Sequence, residues 1–238
     1  MLPLLFHKRL FLHLFLGFVL AVVTGIMSHE CGHWLVARCY GFKGQTMGYN
    51  YTHYGTPSKA WLRRDSVLSR YNSEINSGQS IHRNEYNKLA EAKERDAFLI
   101  TAGGPMQTML AGTLGLMLLF VYRRKLFAAD RLSFLQWLII FLSLFWLREI
   151  FDVVVAIVRK CTGHLWMEGD EFTMAKYLHL PTWSIFIASG VVSLLILWVV
   201  MFRFVPTKQR LTFIFAGLTG GLTGAYLWLV LLGPKLMP

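Results

Sequence analysis

His29-Glu30-Cys31-Gly32-His33 closes the first long apolar stretch of the chain, Leu10 to Arg38. On a helix, residues four apart lie on one face about one turn apart, so His29 and His33 are spaced to grip one metal ion together. Two imidazoles with a flanking carboxylate are what zinc hydrolysis requires: nitrogens hold the ion, and Glu30 is a base for its water. Ionisable groups within a membrane-type helix are costly and mark function by default. The competing reading is a hydrogen-bonded pair of helix-end histidines. Cys31 lies two residues from each histidine, which turns it from their face and makes it a small packing residue.

Outward from this motif, Ala21, Gly25, Ser28 and Gly32 share one side of the helical wheel, with His29 and His33 beside them and Glu30 beyond. Small residues let a second helix approach closely, so the metal face is expected to look into a bundle. Lys8-Arg9 followed by Phe11 to Met27 has the flavour of a signal peptide. No small-residue cleavage site closes it, and the helical pattern continues to about Tyr40, so a retained transmembrane helix is expected.

The whole chain fits that beginning. Of its 238 residues, 55% are hydrophobic and only 16% charged, with a mean hydropathy of +0.45. About 20 apolar helical residues cross a bilayer core. Five stretches are long enough: about Leu10–Arg38, Phe98–Tyr122, Leu132–Val158, Trp183–Phe204 and Leu211–Leu232. The expected fold is an all-α polytopic membrane protein of about five transmembrane helices, with residues 1–238 forming one membrane-embedded domain. Its core covers about 10–180, its polar loop 41–97 and its C-terminal helices 183–232. The net charge of +11 sits in short loops between apolar stretches, where membrane orientation explains it and no nucleic-acid motif accompanies it. Three cysteines give no even disulfide framework.

The polar loop opens with Phe42 to Pro57, where Tyr49, Tyr51 and His53 alternate as in a short hairpin. It ends in a helix capped near Asn84 and running towards Arg95. His53 and His82 are read as solvated histidines. The second span starts at Thr101-Ala102-Gly103-Gly104-Pro105-Met106-Gln107, which reads as a helix entrance with Pro in its first turn. The third span holds Arg148, Glu149 and Asp152. An i,i+4 pair of Arg148 with Asp152 is the structural reading, and Asp152 as a metal ligand is the functional one. Glu168-Gly169-Asp170-Glu171 then opens a short amphipathic helix stopped by Pro181. Counting crossings puts Asp152 and Asp170 on the side of the membrane that holds His33. Gly217, Gly220, Gly221 and Gly224 mark the last span as closely packed.

These residues resemble the site-2 protease family of intramembrane zinc metalloproteases, in its shorter bacterial members. Ser28-His29-Glu30-Cys31-Gly32-His33-Trp34, with Ala37 and Gly41, matches the family's zinc helix, and Ala102-Gly103-Gly104-Pro105 matches the opening of its next span. An acidic motif after the third span is the third likeness. The resemblance covers roughly residues 20–180. It implies a Zn2+ ion on His29 and His33, with Glu30 as general base and an aspartate as third ligand. Asp170 fits that place best and Asp152 second; the family's usual Leu-Asp-Gly setting and Asn-x-x-Pro are missing here. It further implies that Gly104, Pro105 and Gln107 (where the family has Asn) help to hold the substrate, and that residues 42–57 pair with an extended substrate strand.

The expected activity is therefore hydrolysis of peptide bonds in or near transmembrane segments of a membrane protein substrate. The expected location is a bacterial cytoplasmic (inner) membrane, with the lipid bilayer as solvent and no nucleic-acid partner. The likeness places the metal towards the cytoplasm. The short loops hint the other way: Lys8, Arg9, Arg123, Arg124, Lys125, Arg131, Arg203, Lys208 and Arg210 lie on the opposite side, against Arg159, Lys160, Lys176 and Lys235, while the long first loop on the metal's side, with nine Lys/Arg and six Asp/Glu, counts poorly in this rule. Two other readings stand beside the protease. One is a zinc-binding membrane protein without catalysis, acting as sensor or assembly factor. The other is a transporter using the charges of the third span, which would call for inverted repeats that the sequence lacks.

Overall fold

The computed structural model describes residues 6–77, 81–124, 132–163 and 169–238; Lys125, Arg131 and Glu168 fall outside them. The described chain is mostly helical, with one two-stranded sheet. Helix α1 spans Lys8–Cys39 and is followed by strands β1 (Thr46–Met47) and β2 (Thr52–His53). Helix α2 is Lys59–Ser77 and α3 is Arg83–Val121. Helix α4 (Phe134–Ser143) leads through a 3-10 turn, Leu144–Trp146, into α5, Leu147–Cys161. Helix α6 is Asp170–Tyr177. Helices α7 (Ser184–Val199) and α8 (Arg210–Tyr226) both run on in wider π turns.

Among the described residues, four helical segments are long and apolar enough to cross a membrane: Lys8–Cys39, Arg83–Val121, Ser184–Phe204 and Thr207–Leu236. The expected third span is instead two shorter helices. Its break has a visible cause in the neighbouring helix. A Cβ at Gly115 would overlap the backbone of Ser143, and one at Gly112 would overlap Trp146. The chain lies hard against α3 there, and the Ser143 hydroxyl donates to the Ile140 carbonyl at 2.7 Å. Trp146 Nε1 donates to Thr113 Oγ1 at 3.2 Å across the contact.

The polar helix expected near 84–95 and the second span prove to be one rod, α3, of 39 residues. At about 1.5 Å per residue it is some 58 Å long, about twice a hydrocarbon core. No helix breaker separates Arg95 from Phe98, so nothing ends the first part. Pro105 therefore lies deep inside the helix and not in its first turn. A proline there removes one main-chain hydrogen bond. Beside it, the Thr108 hydroxyl donates to the Pro105 carbonyl at 2.9 Å, and the packed neighbours hold the helix together.

The main apolar cluster fills the end of the molecule away from the histidines. Leu14 and Phe18 of α1 meet Leu119 of α3, Ile140 of α4 and Phe213 of α8. Glycines Gly220 and Gly224 bring α8 against the backbone of Phe15 and Val19, as the glycine pattern predicts. Outward faces are strongly apolar: Leu12, Leu16 and Leu20 on α1, Leu110 and Leu114 on α3, Leu218 and Leu222 on α8 are all exposed. In water, so much exposed apolar surface would drive association; in lipid it is ordinary. Near the histidines a smaller cluster joins Ala37, Phe42 and Ile100.

Candidate metal centre

The i,i+4 spacing on α1 sets the two imidazoles side by side on one face. His29 and His33 are both buried, and their Nε2 atoms lie 3.2 Å apart. The space for them is cut out of α3. A Cβ at Gly104 would overlap Nε2 of both rings, and Gly32 and Gly103 sit so close that each would strike the other's carbonyl. Gly103-Gly104 thus serves as a side-chain-free saddle on which the motif rests.

His29, Glu30 and His33 form a buried group whose ligand atoms all lie within 4.8 Å of one another, an arrangement able to hold a metal ion. From α6, 137 residues beyond His33 in sequence, Asp170 brings Oδ2 to 2.8 Å from His29 Nε2 and 3.1 Å from His33 Nε2. Two nitrogens and one oxygen thus form a triangle with sides of 2.8, 3.1 and 3.2 Å. A tetrahedral ion with bonds of about 2.05 Å spaces its ligand atoms about 3.3 Å apart, close to this triangle.

Protonation sharpens the point. His33 Nδ1 lies 2.8 Å from the Ile100 carbonyl, which can only accept, so Nδ1 carries a proton and the neutral ring presents a lone pair at Nε2. That lone pair faces a carboxylate oxygen at 3.1 Å. Something positive must lie between two such acceptors: a second proton on the ring, or a metal ion. A proton serves one pair, whereas an ion serves all three atoms at once. His29 Nδ1 is buried and has no hydrogen-bond partner among the described residues.

Glu30 is buried and tied to the hairpin. The Thr52 hydroxyl of β2 donates to Glu30 Oε2 at 2.9 Å and lies 3.0 Å from the Glu30 carbonyl. The hairpin itself is as expected: Thr46 pairs with His53 and Met47 with Thr52, and an isolated bridge joins Lys43 to Thr56. Two residues past Thr52, Tyr54 is half-buried, its ring packed on Phe42 at 6.2 Å. Burial, then the charges of Asp170 and Glu30, push its phenol up to about 12.

The other expected residues are placed as follows. Asp152 accepts from Arg148 Nε at 2.8 Å, so the i,i+4 pair is formed, and Asp170 is the aspartate that reaches the rings. Pro105 is fully buried, while Gln107 is partly exposed and donates to Ser28 Oγ at 3.2 Å. His53 is exposed, as a solvated histidine should be, and His82 stacks on Tyr71 at 3.7 Å. Cys31 is exposed on the outer face of α1, which corrects its reading as a packing residue. Sequence reasoning did not find the Ile100 carbonyl or the Thr52 hydroxyl at the centre. The first is main chain and carries no residue signature; the second is an ordinary hairpin residue until the hairpin docks. It also did not single out Glu171, buried like Glu149, each with one oxygen that lacks a partner among the described residues.

No protein-family model, no curated protein and no solved structure matches the chain.

Proposed function

We propose that this chain is an intramembrane zinc metalloprotease that hydrolyses peptide bonds in or near transmembrane segments of membrane protein substrates, in a bacterial cytoplasmic membrane. The observation that carries the reading is the convergence of His29, His33 and Asp170 on one buried point, with the Glu30 carboxylate in the same group. Two imidazoles and one carboxylate with room for a fourth partner are the donor set of hydrolytic zinc. An ion bound there supplies a water acidic enough to ionise near pH ~7 and a Lewis acid for the scissile carbonyl.

The chain's own residues divide the remaining work. Glu30 takes the proton of the attacking water and returns it to the departing amine. Thr52, by donating to Oε2, fixes which way that carboxylate points. Ile100 holds the His33 ring with Nε2 turned inward. Gly104 leaves the ring nitrogens the space a side chain would fill, and Gln107, partly exposed on α3 with its amide nitrogen donating to Ser28, would offer its side-chain oxygen to a substrate N–H. A substrate helix hides its carbonyls in internal hydrogen bonds and must unwind before cleavage. Pairing with the β1–β2 hairpin would replace the bonds it gives up.

Three variants test this in detergent-purified protein. Glu30→Gln keeps zinc at the wild-type ratio and abolishes cleavage of a transmembrane substrate. Asp170→Ala loses zinc affinity by more than the 10- to 100-fold typical of an outer partner, while Asp152→Ala keeps it. Undiminished cleavage by Glu30→Gln would remove the proposed base. Zinc-loaded wild type and Glu30→Gln with identical cellular effects would favour the non-catalytic reading. An emptied site in Asp152→Ala alone would transfer the third ligand to that residue.

A further inference from the structure

The hairpin that carries Thr52 to Glu30 carries a second polar group the same way. β2 ends at His53, but burial goes on alternating through the next residue: Tyr51 and His53 are exposed, Thr52 and Tyr54 half-buried. Thr52 faces the zinc helix, since its hydroxyl touches Glu30. Tyr54 is pinned on the same side by Phe42, a buried ring clustered with Ala37 of α1 and Ile100 of α3. Ile100 is also the residue whose carbonyl holds His33. The Tyr54 ring thus packs against a cluster drawn from both helices that build the metal centre. It is close enough for the charges of Asp170 and Glu30 to oppose its ionisation, and it stays a donor well beyond neutral pH. Among the described residues no hydrogen bond engages its hydroxyl.

We propose that the Tyr54 O–H is a catalytic hydrogen-bond donor to the carbonyl oxygen of the scissile peptide as that oxygen becomes anionic. This rests on the protease reading above. When the water oxygen bonds to the carbonyl carbon, Glu30 takes the water's proton and the π electrons move onto the carbonyl oxygen. Tyr54 donates to that oxygen, gaining and losing no proton itself. Collapse then restores the C=O bond and breaks C–N, and the proton held on Glu30 goes to the leaving nitrogen. A donor aimed at developing charge lowers the barrier because its dipole is already oriented before the charge appears.

Tyr54→Phe removes the hydroxyl and leaves the ring on Phe42. A library of solubilised transmembrane peptides, with cleavage read by mass spectrometry, supplies a cleaved peptide on which kcat and KM are measured. The variant keeps wild-type zinc content and KM, while kcat falls about 10- to 100-fold, somewhat less than the loss of a fully enclosed oxyanion donor. Affinity for a phosphinic peptide that mimics the tetrahedral species falls by a similar factor, which a merely structural tyrosine would not cause. A Tyr54→Phe enzyme with wild-type kcat overturns the proposal and leaves the protease reading standing, provided Glu30→Gln is inactive. Zinc-loaded wild type that cleaves nothing in the library overturns both.

Discussion

At Gly104 the absence of a side chain is what matters. Its α-carbon faces the two ring nitrogens so closely that one added methyl group would occupy their space. Gly104→Ala must push the rings apart or tilt α1 away from α3, and either movement spoils the triangle of donor atoms. We expect zinc affinity to fall at least 10-fold, as for loss of a supporting group, with helical content unchanged. Metal analysis beside circular dichroism checks this. Gly25, on the same stripe of α1 as Gly32, makes a useful control, because nothing lies within 4 Å of its added Cβ. Gly25→Ala keeps its zinc. Equal zinc loss in both would mean that the overlap at Gly104 is not what limits binding.

Among the elements, α5 shows how charge is tolerated within an apolar run. Arg148 and Asp152 are one turn apart, mostly buried, and hydrogen-bonded at 2.8 Å. Neither would be stable there alone. Arg148→Met leaves an unpaired carboxylate and is expected to lower stability by about 3–5 kcal/mol, whereas Arg148→Met with Asp152→Leu returns close to wild type. Thermal unfolding of both variants in one detergent measures the difference. A single variant as stable as the double one would show that Asp152 has another partner. The break before α5 belongs to the same scale. A run that reads as one span from hydropathy becomes two helices, because Gly112 and Gly115 of α3 draw the chain in at the 3-10 turn.

Across the whole molecule, the centre exists because chain ends of different elements meet on one side. Helix α1 ends at Cys39 and α5 at Cys161, and both cysteines are exposed. Helix α3 runs back antiparallel to α1, and α4–α5 returns antiparallel to α3, which puts both ends on the side of Asp170. In sealed vesicles, a membrane-impermeant maleimide is therefore expected to label single-cysteine variants retaining Cys39 or Cys161 from the same side. Cys31, exposed on the apolar face of α1, should react only with a lipid-soluble reagent. Labelling of Cys39 and Cys161 from opposite sides would break the topology that joins Asp170 to the histidines. The side that is labelled also decides the orientation, on which the zinc-helix resemblance and the distribution of Lys and Arg point in opposite directions.

What the sequence determined alone is local or periodic. Apolar runs of helical length announce the long helices, four-residue spacing places two imidazoles on one face, and Arg148 with Asp152 is a pair at the same spacing. The hairpin could be read from alternation. Tertiary structure decided everything that joins distant residues. Asp170 meets His29 across 141 positions, Thr52 reaches Glu30 only once the hairpin lies on α1, and a main-chain carbonyl at Ile100 sets the His33 ring. Pro105, read as a first-turn residue, lies inside α3 because no breaker ends the helix that precedes it. Periodicity reports which face of an element is buried; it carries no record of which other element covers that face, because that choice is made by packing among all of them at once.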